Sequence, residues 1–228
     1  RVLFRSIELR DPVIAVLAAA FSVVVVYTIF VGLALPQVEW DSLTYHLGRV
    51  VLWIQQGAVA YVPHAADVRI NGNPPVSEIG SAWTMLIAGN DRLVWLPSLL
   101  ALCALVVAVR GIALRAGLGG REALFAGLLF GTLPIAALQA STTLNDLVVA
   151  SFFAAAAWFA LGTGRAEGAA AALALSLAFG TKISAPLLLP VYLLVVLVAR
   201  SRRWGEQLLI TGAGVVLGSW WYLLNLSE

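Results

Sequence analysis

Residues 13–35 read VIAVLAAAFSVVVVYTIFVGLAL, an apolar stretch of 23 residues without a charge. This length is enough to cross a hydrocarbon core of about 30 Å as an α-helix. A cleaved signal peptide is the alternative, because Gly32-Leu33-Ala34 has the small residues of a cleavage site. The stretch is much longer than the apolar part of a signal peptide, which favours a transmembrane helix.

The rest of the chain is also strongly apolar. Hydrophobic residues make up 61% of its 228 positions and charged residues 11%. One soluble core of this size could not bury so much apolar surface, so we expect an all-α membrane protein. Six further apolar runs follow the first, near residues 93–109, 123–140, 147–164, 168–181, 183–199 and 207–226. The sequence predicts about seven transmembrane helices in a single module covering residues 1–228, with a turn at Gly180-Thr181-Lys182.

The basic residues are divided unequally between the two sides that these spans define. Ten of the 14 fall on the side of the N-terminus, and four fall on the other side: Arg49, Arg69, Arg92 and Lys182. The positive-inside rule then places the N-terminus in the cytoplasm. We therefore expect a multi-pass protein of the inner (plasma) membrane, with an extracytoplasmic loop over residues 36–92.

This loop begins with WDSLTYHLGRV at residues 40–50. On an α-helix, polar and aromatic side chains spaced by four residues share one face: Asp41, Tyr45, Arg49 and Trp53. Apolar side chains occupy the opposite face, at Leu43, Leu47, Val50 and Ile54. The pattern is typical of an amphipathic helix that lies on a membrane surface and turns its polar face toward water. Residues 76–88 predict a second such helix.

Alternating spans bring ionisable residues that are distant in sequence to the same outer face: Asp41, Glu78, Asp91, Asp146 and Lys182. Such groups can converge on a cavity at the lipid boundary. Structural alternatives exist for two of the carboxylates. Asp41 could cap its surface helix, and Thr143 and Asp146 fit a capping box at the start of the fourth span.

The other polar residues of this face also have structural alternatives. Lys182 could extend its side chain along apolar surface toward the interface. Glu78 follows Pro74-Pro75 and could favour the start of a helix. His46 is better explained by packing or an interfacial hydrogen bond than by catalysis.

Motifs for soluble chemistry are missing from the sequence. It has no glycine-rich phosphate loop, no dinucleotide fingerprint and no cysteine and histidine cluster spaced for zinc. We therefore expect no nucleotide cofactor and no nucleic-acid partner.

Four motifs, taken in order, resemble the polytopic GT-C glycosyltransferases. The similarity is to the bacterial members grouped with the dolichyl-phosphate-mannose protein mannosyltransferases and the aminoarabinose transferase of lipid A. The motifs are residues 40–49, Asn73-Pro74-Pro75 leading to Glu78, TTLND at residues 142–146, and FGTK at residues 179–182. The resemblance covers essentially the whole chain, since that fold's shared module has seven spans and two surface helices in its first outward loop.

Two features depart from this family. Gly48 stands where close relatives are expected to have proline. The further spans and outer domain with which such enzymes usually finish do not follow, so we expect a chain truncated at its C-terminus.

The resemblance implies a transferase that moves a sugar, with inversion, from a polyprenyl-phosphate donor to a hydroxyl of an acceptor glycan, lipid or protein at the extracytoplasmic face. In such a reaction Asp41 would be the general base that takes the proton of the acceptor hydroxyl. Arg49 or Lys182 would stabilise the phosphate leaving group.

A divalent metal ion could assist that leaving group, with Glu78 or Asp146 as its ligands. Tyr45, Asn145 and Asp146 complete the predicted substrate-binding set. The alternatives to an enzyme are a transporter or lipid flippase, and a non-catalytic partner of another membrane enzyme. Transporters often have repeated halves and ionisable groups near the midplane, neither of which this sequence shows.

Overall fold

The structure is a computed structural model that describes residues 11–199 and 203–227, and these residues form helices and turns with no β-strand. The helices are, in chain order, α1 (Pro12–Ala34), α2 (Leu47–Gln56), α3 (Arg69–Gly72), α4 (Val76–Ala88), α5 (Leu96–Arg115), α6 (Gly120–Gly131), α7 (Pro134–Gln139), α8 (Asp146–Ala160), α9 (Arg165–Phe179), α10 (Leu189–Ala199), α11 (Trp204–Gly218) and α12 (Trp220–Ser227). A π-helical turn, Ser42–His46, precedes α2, and a 3₁₀ turn, Ala185–Leu188, precedes α10. The all-α prediction is confirmed.

Two of the described helices, α1 and α5, are long and apolar enough to cross a membrane. A third crossing results if α11 and α12, which meet at a bend of 42°, are counted as one span. The 15 residues of α8 extend only about 22 Å, less than a typical hydrocarbon core. The protein is therefore membrane-associated, and two or three of the seven predicted spans have the length and composition that a crossing requires.

Contacts at the ends of the helices show that the long helices alternate in direction. The start of α1 meets the start of α6, where Arg121 Nε donates to Asp11 Oδ2 at 2.7 Å. Nearby, Arg115 at the end of α5 pairs with Glu167 at the start of α9. Gln207 of α11 donates to the carbonyl of Ala160, the last residue of α8, at 3.1 Å. We call this side of the bundle the arginine end.

The opposite side, which we call the loop end, carries residues 35–95. Here Gln37 Nε2, just beyond α1, donates to the carbonyl of Ser141, before α8, at 3.0 Å. The amide nitrogen of Val76, where α4 begins, donates to the carbonyl of Gly180, after α9, at 2.8 Å. The loop therefore folds against the bundle and meets the turn predicted at residues 180–182.

Two predicted spans are interrupted. The run at 123–140 is two helices, α6 and α7, because Pro134 disfavours helical backbone at the residue before it, and Leu133 is extended. The run at 207–226 bends at Ser219, between α11 and α12.

Glycines allow α11 to lie very close to α9. A Cβ atom on Gly214 would fall 2.8 Å from the carbonyl oxygen of Ala172, and one on Gly218 would fall 2.5 Å from that of Ser176. Two small residues four positions apart form the pattern that lets helices approach closely in membranes. The largest apolar core lies beside this crossing, between α8, α9 and α10.

Candidate functional site

The loop begins with a π-helical turn, and the face that carries Tyr45, Arg49 and Trp53 is buried. The amide nitrogen of Leu47 donates to the carbonyl of Ser42, five residues earlier, so the turn holds one residue more than an α-helical turn. Tyr45, Arg49 and Trp53 are 8%, 0% and 2% exposed, whereas Leu43 is 55% exposed. The prediction that these three residues form a water-facing surface is therefore wrong. Their face packs inward, against residues of α3, α4 and α12.

Asp41 alone of that predicted face remains well exposed. Its backbone is helical and its side chain makes no capping bond, so the capping interpretation is wrong. Instead, Asp41 Oδ1 accepts a hydrogen bond from Arg69 Nη1 at 2.8 Å, and the two side chains are 42% and 39% exposed. The structure thus places an accessible carboxylate beside an accessible guanidinium, a short distance in the chain after α1.

The sequence does not mark Arg69 as a site residue, yet this side chain joins several parts of the loop. Its Nη2 donates to Asp67 Oδ2 at 2.7 Å, and its guanidinium carbon lies 4.5 Å from the centre of the Tyr45 ring. The hydrogen bonds between them lower the pKa of Asp67 and raise the pKa of Arg69. The spacing Asp67-x-Arg69 is a weak local signal, and the contact with Asp41 depends on tertiary folding.

Tyr45 lies between Arg69 and His46, whose ring centre is 4.1 Å from its own. Burial raises the pKa of Tyr45 to about 12, and the negative charges of Asp41, Glu78 and Asp146 act in the same direction. The predicted site carboxylates from three parts of the chain therefore lie near enough to act on one phenol.

A buried polar cluster lies beneath this surface. His46 Nδ1 is 2.6 Å from Glu78 Oε1, and Arg49 Nη1 is 3.9 Å from Glu78 Oε2. All three side chains are 2% exposed or less. Burial lowers the pKa of Arg49, which the charge of Glu78 opposes. Arg49 does not reach solvent in this structure, which does not fit the predicted contact with substrate.

Asn145, Asp146 and Lys182 form a second group at the loop end. The buried amide of Asn145 donates to the carbonyl of Thr181 at 3.1 Å. Lys182 Nζ pairs with Asp146 Oδ1 at 2.5 Å, and these side chains are 27% and 49% exposed. The predicted capping box is wrong, because α8 has no side-chain cap and the buried Thr143 hydroxyl has no hydrogen-bond partner among the described residues.

The predicted metal ligands do not come together as a metal site. Within residues 11–199 and 203–227, no three histidine, cysteine, aspartate or glutamate side chains are grouped so that they could hold a metal ion. Glu78 lies beside Arg49, and Asp146 is paired with Lys182. A cation next to each carboxylate disfavours a second cation there, so these residues do not fit a divalent ion.

Comparisons with known proteins give no relative, since no family model, no curated protein and no solved structure matches the chain. The chemistry of the loop end is what bears on function. Its exposed ionisable groups include two carboxylates and two cations: Asp41, Asp146, Arg69 and Lys182. Such a set can take a proton from a hydroxyl and can bind an anionic group such as a phosphate.

Proposed function

We propose that the protein is a seven-span glycosyltransferase of the inner membrane, of the GT-C kind, that transfers a sugar from a polyprenyl-phosphate donor to an acceptor hydroxyl at the extracytoplasmic face. One observation carries the proposal. A partly exposed carboxylate, Asp41, lies 2.8 Å from a partly exposed guanidinium, Arg69, just after an apolar helix that can span a membrane. The reaction needs one group of each kind close to lipid.

Asp41 supplies the general base. An acceptor hydroxyl is a weak nucleophile, and a carboxylate in hydrogen-bonding reach removes its proton as the bond to the anomeric carbon forms. One oxygen of Asp41 is held by Arg69, which fixes the orientation of the carboxylate. The other oxygen accepts no hydrogen bond from the described residues, and the side chain is 42% exposed.

Arg69 takes the role that the sequence suggested for Arg49. The bond between the donor phosphate oxygen and the anomeric carbon breaks as the acceptor oxygen bonds to that carbon. The leaving polyprenyl phosphate gains negative charge in this step. A guanidinium can donate hydrogen bonds to a phosphate. In Arg69 the Nε and Nη2 atoms donate to Asp67 and Nη1 donates to Asp41, so a phosphate would take the remaining Nη1 hydrogen or displace one of these carboxylates.

Arg69 is 39% exposed, whereas the side chain of Arg49 is 0% exposed. Lys182 provides a second partly exposed cation, and Tyr45 provides a protonated phenol beside Arg69.

The placement of charges favours an enzyme over a transporter. The ionisable side chains of the described site all lie at the loop end. Asp41 and Arg69 belong to the loop itself, Asp146 is the first residue of α8, and Lys182 lies in the turn after α9. A transport pathway would be expected to carry such groups near the middle of its spans.

The test is sugar transfer by the full-length protein in liposomes. The donors are undecaprenyl-phosphate sugars carrying a radiolabelled hexose or pentose, and the acceptors are envelope lipids and glycans. We expect Asp41→Asn to reduce transfer by roughly 10² or more, because Asn cannot take a proton. Its unfolding free energy should fall by less than about 1 kcal/mol, since the ion pair with Arg69 is partly exposed.

Glu39→Gln is the matched control, because it makes the same change of charge at a neighbouring exposed position. It should keep normal transfer. Normal transfer by a folded Asp41→Asn protein would remove Asp41 from the mechanism. No transfer by the unchanged protein from any donor would contradict the proposed function.

A further inference from the structure

The short helix α3, which carries Arg69, is held in place by hydrogen bonds from other helices. It has only four residues, too few to be stable alone. Its carbonyl oxygens accept hydrogen bonds from side chains of two other helices: Arg49 Nη2 to Arg69 at 3.0 Å, Trp221 Nε1 to Asn71 at 2.6 Å, and Asn225 Nδ2 to Gly72 at 3.3 Å. The first donor belongs to α2 and the other two to α12. The position of α3 therefore depends on α12, about 150 residues further along the chain.

Arg49 is the residue at which α2, α3 and α12 meet. Its guanidinium carbon lies 5.5 Å from the centre of the Trp53 ring and 5.6 Å from that of Trp221. These distances allow a cation–π contact with each ring. The two indoles and the carbonyl of Arg69 thus lie around the guanidinium.

A stabilising ion pair does not explain why the Arg49 guanidinium is buried. The nearest carboxylate oxygen, Glu78 Oε2, is 3.9 Å away, which is too far for a hydrogen bond. The Nε and Nη1 atoms of Arg49 have no hydrogen-bond partner among the described residues. A buried cation with so few polar partners opposes folding, and apolar residues of similar size often serve stability as well or better.

We propose that Arg49 is a positioning residue: it acts through the backbone of α3 to place the Arg69 guanidinium against Asp41, and with Trp221 it couples the position of α12 to this pair. The bend of 42° between α11 and α12 accompanies the burial of Trp221, which is 1% exposed, beneath the loop. The coupling itself needs no assumption about the reaction. Its importance for catalysis rests on the proposed function, in which Arg69 binds the donor phosphate.

A distance measurement tests the coupling without an activity assay. Nitroxide labels are placed at Val68→Cys and Ile183→Cys in a Cys103→Ala background, because both positions are well exposed and flank Arg69 and Lys182. Pulsed electron paramagnetic resonance then gives the distribution of distances between the two labels. Arg49→Lys keeps the charge but loses the planar guanidinium, which stacks on the indole rings and donates to the carbonyl of Arg69. Trp221→Phe keeps the ring but loses the donor to Asn71.

We expect one narrow distribution in the parent protein and a broader or displaced one in both variants. Arg92→Lys and Trp220→Phe are the matched controls, an arginine in the same loop and the exposed neighbour of Trp221, and should leave the distribution unchanged. An unchanged distribution in Arg49→Lys and Trp221→Phe would overturn the proposal. So would loss of the fold in both, since that would show a purely structural role.

Sugar transfer provides the second readout. A displacement of about 1 Å at a reacting group typically costs roughly 10²-fold in rate, so Arg49→Lys should lose transfer while its melting temperature changes little. If Arg49→Lys does not fold, the double variant Arg49→Met/Glu78→Gln removes both buried charges and takes its place. An altered distance distribution in a protein that shows no transfer at all would support the coupling while contradicting the proposed function.

Discussion

Tyr45 is the residue whose chemistry is most altered by its surroundings. Its ring is 8% exposed and lies against Arg69 and His46. Burial and the nearby carboxylates disfavour the phenolate, which raises the pKa of Tyr45 to about 12. The hydroxyl therefore keeps its proton at neutral pH and remains a hydrogen-bond donor.

This raised pKa predicts a loss of stability at alkaline pH. The unfolded chain releases the phenolic proton near pH 10.0, whereas the folded protein keeps it until about pH 12. The folded state binds more protons between these values, so stability falls as the pH rises through this window. We expect the unfolding free energy of the unchanged protein to fall by about 2–3 kcal/mol relative to that of Tyr45→Phe.

Chemical denaturation at pH 9 to 12 measures this difference, with Tyr61→Phe as a control for the loss of a hydroxyl in the same loop. Parallel pH profiles for the unchanged protein and Tyr45→Phe would show that the Tyr45 environment is not as described.

Single residues of the site could be predicted from sequence only where local pattern was informative. The motif at residues 40–49, which follows the first apolar run, marks Asp41 as a candidate, and the structure leaves this side chain accessible. Its partner Arg69 lies 28 residues away, in a turn-rich stretch without periodicity, and could not be paired with it from the sequence. The spacing of Arg49 places it on one helical face with Tyr45 and Trp53, but the sequence does not show that this face packs against α3, α4 and α12 rather than toward water.

For the helices too, the sequence predicts the bounds where the signal is local and fails where no local signal exists. The second surface helix has the predicted bounds, Val76–Ala88, because its apolar spacing and the preceding prolines are local signals. The π-helical turn at Ser42–His46 has no such signal. Pro134 could have indicated the break between α6 and α7, yet the apolar run on both sides of it predicts one continuous span.

The crossing of α9 and α11 predicts opposite effects for two glycines that lie two residues apart. A Cβ on Gly214 would meet the backbone of α9 at 2.8 Å, whereas one on Gly212 meets nothing within 4 Å. Gly214→Ala should lower the unfolding free energy by about 1–3 kcal/mol, because the helices must separate. Gly212→Ala should be neutral or raise it by up to about 1 kcal/mol, because alanine favours helix.

Thermal unfolding in detergent measures both variants against the unchanged protein. Equal melting temperatures for the two variants would mean that α9 and α11 do not cross at Gly214.

The whole molecule is organised by its two ends. The arginine end holds Arg115 and Arg121, each in an ion pair, and Arg165 at the start of α9, whereas the loop end holds the candidate site. The charge asymmetry in the sequence predicts which end faces the cytoplasm. The alternation of helices in the structure is compatible with that arrangement, although several helices are shorter than a full crossing because turns and bends interrupt the apolar runs.

We propose that the two ends of the molecule lie on opposite sides of a membrane, with the candidate site outside. Single cysteines at Ala66 and Leu118 test it most directly, because both positions are exposed, one in the loop and one between α5 and α6. In a Cys103→Ala background, a membrane-impermeant thiol reagent should label Ala66→Cys in intact cells. Leu118→Cys should be labelled only after the membrane is permeabilised. Labelling of Leu118→Cys but not Ala66→Cys in intact cells, or equal labelling of both, would contradict the account.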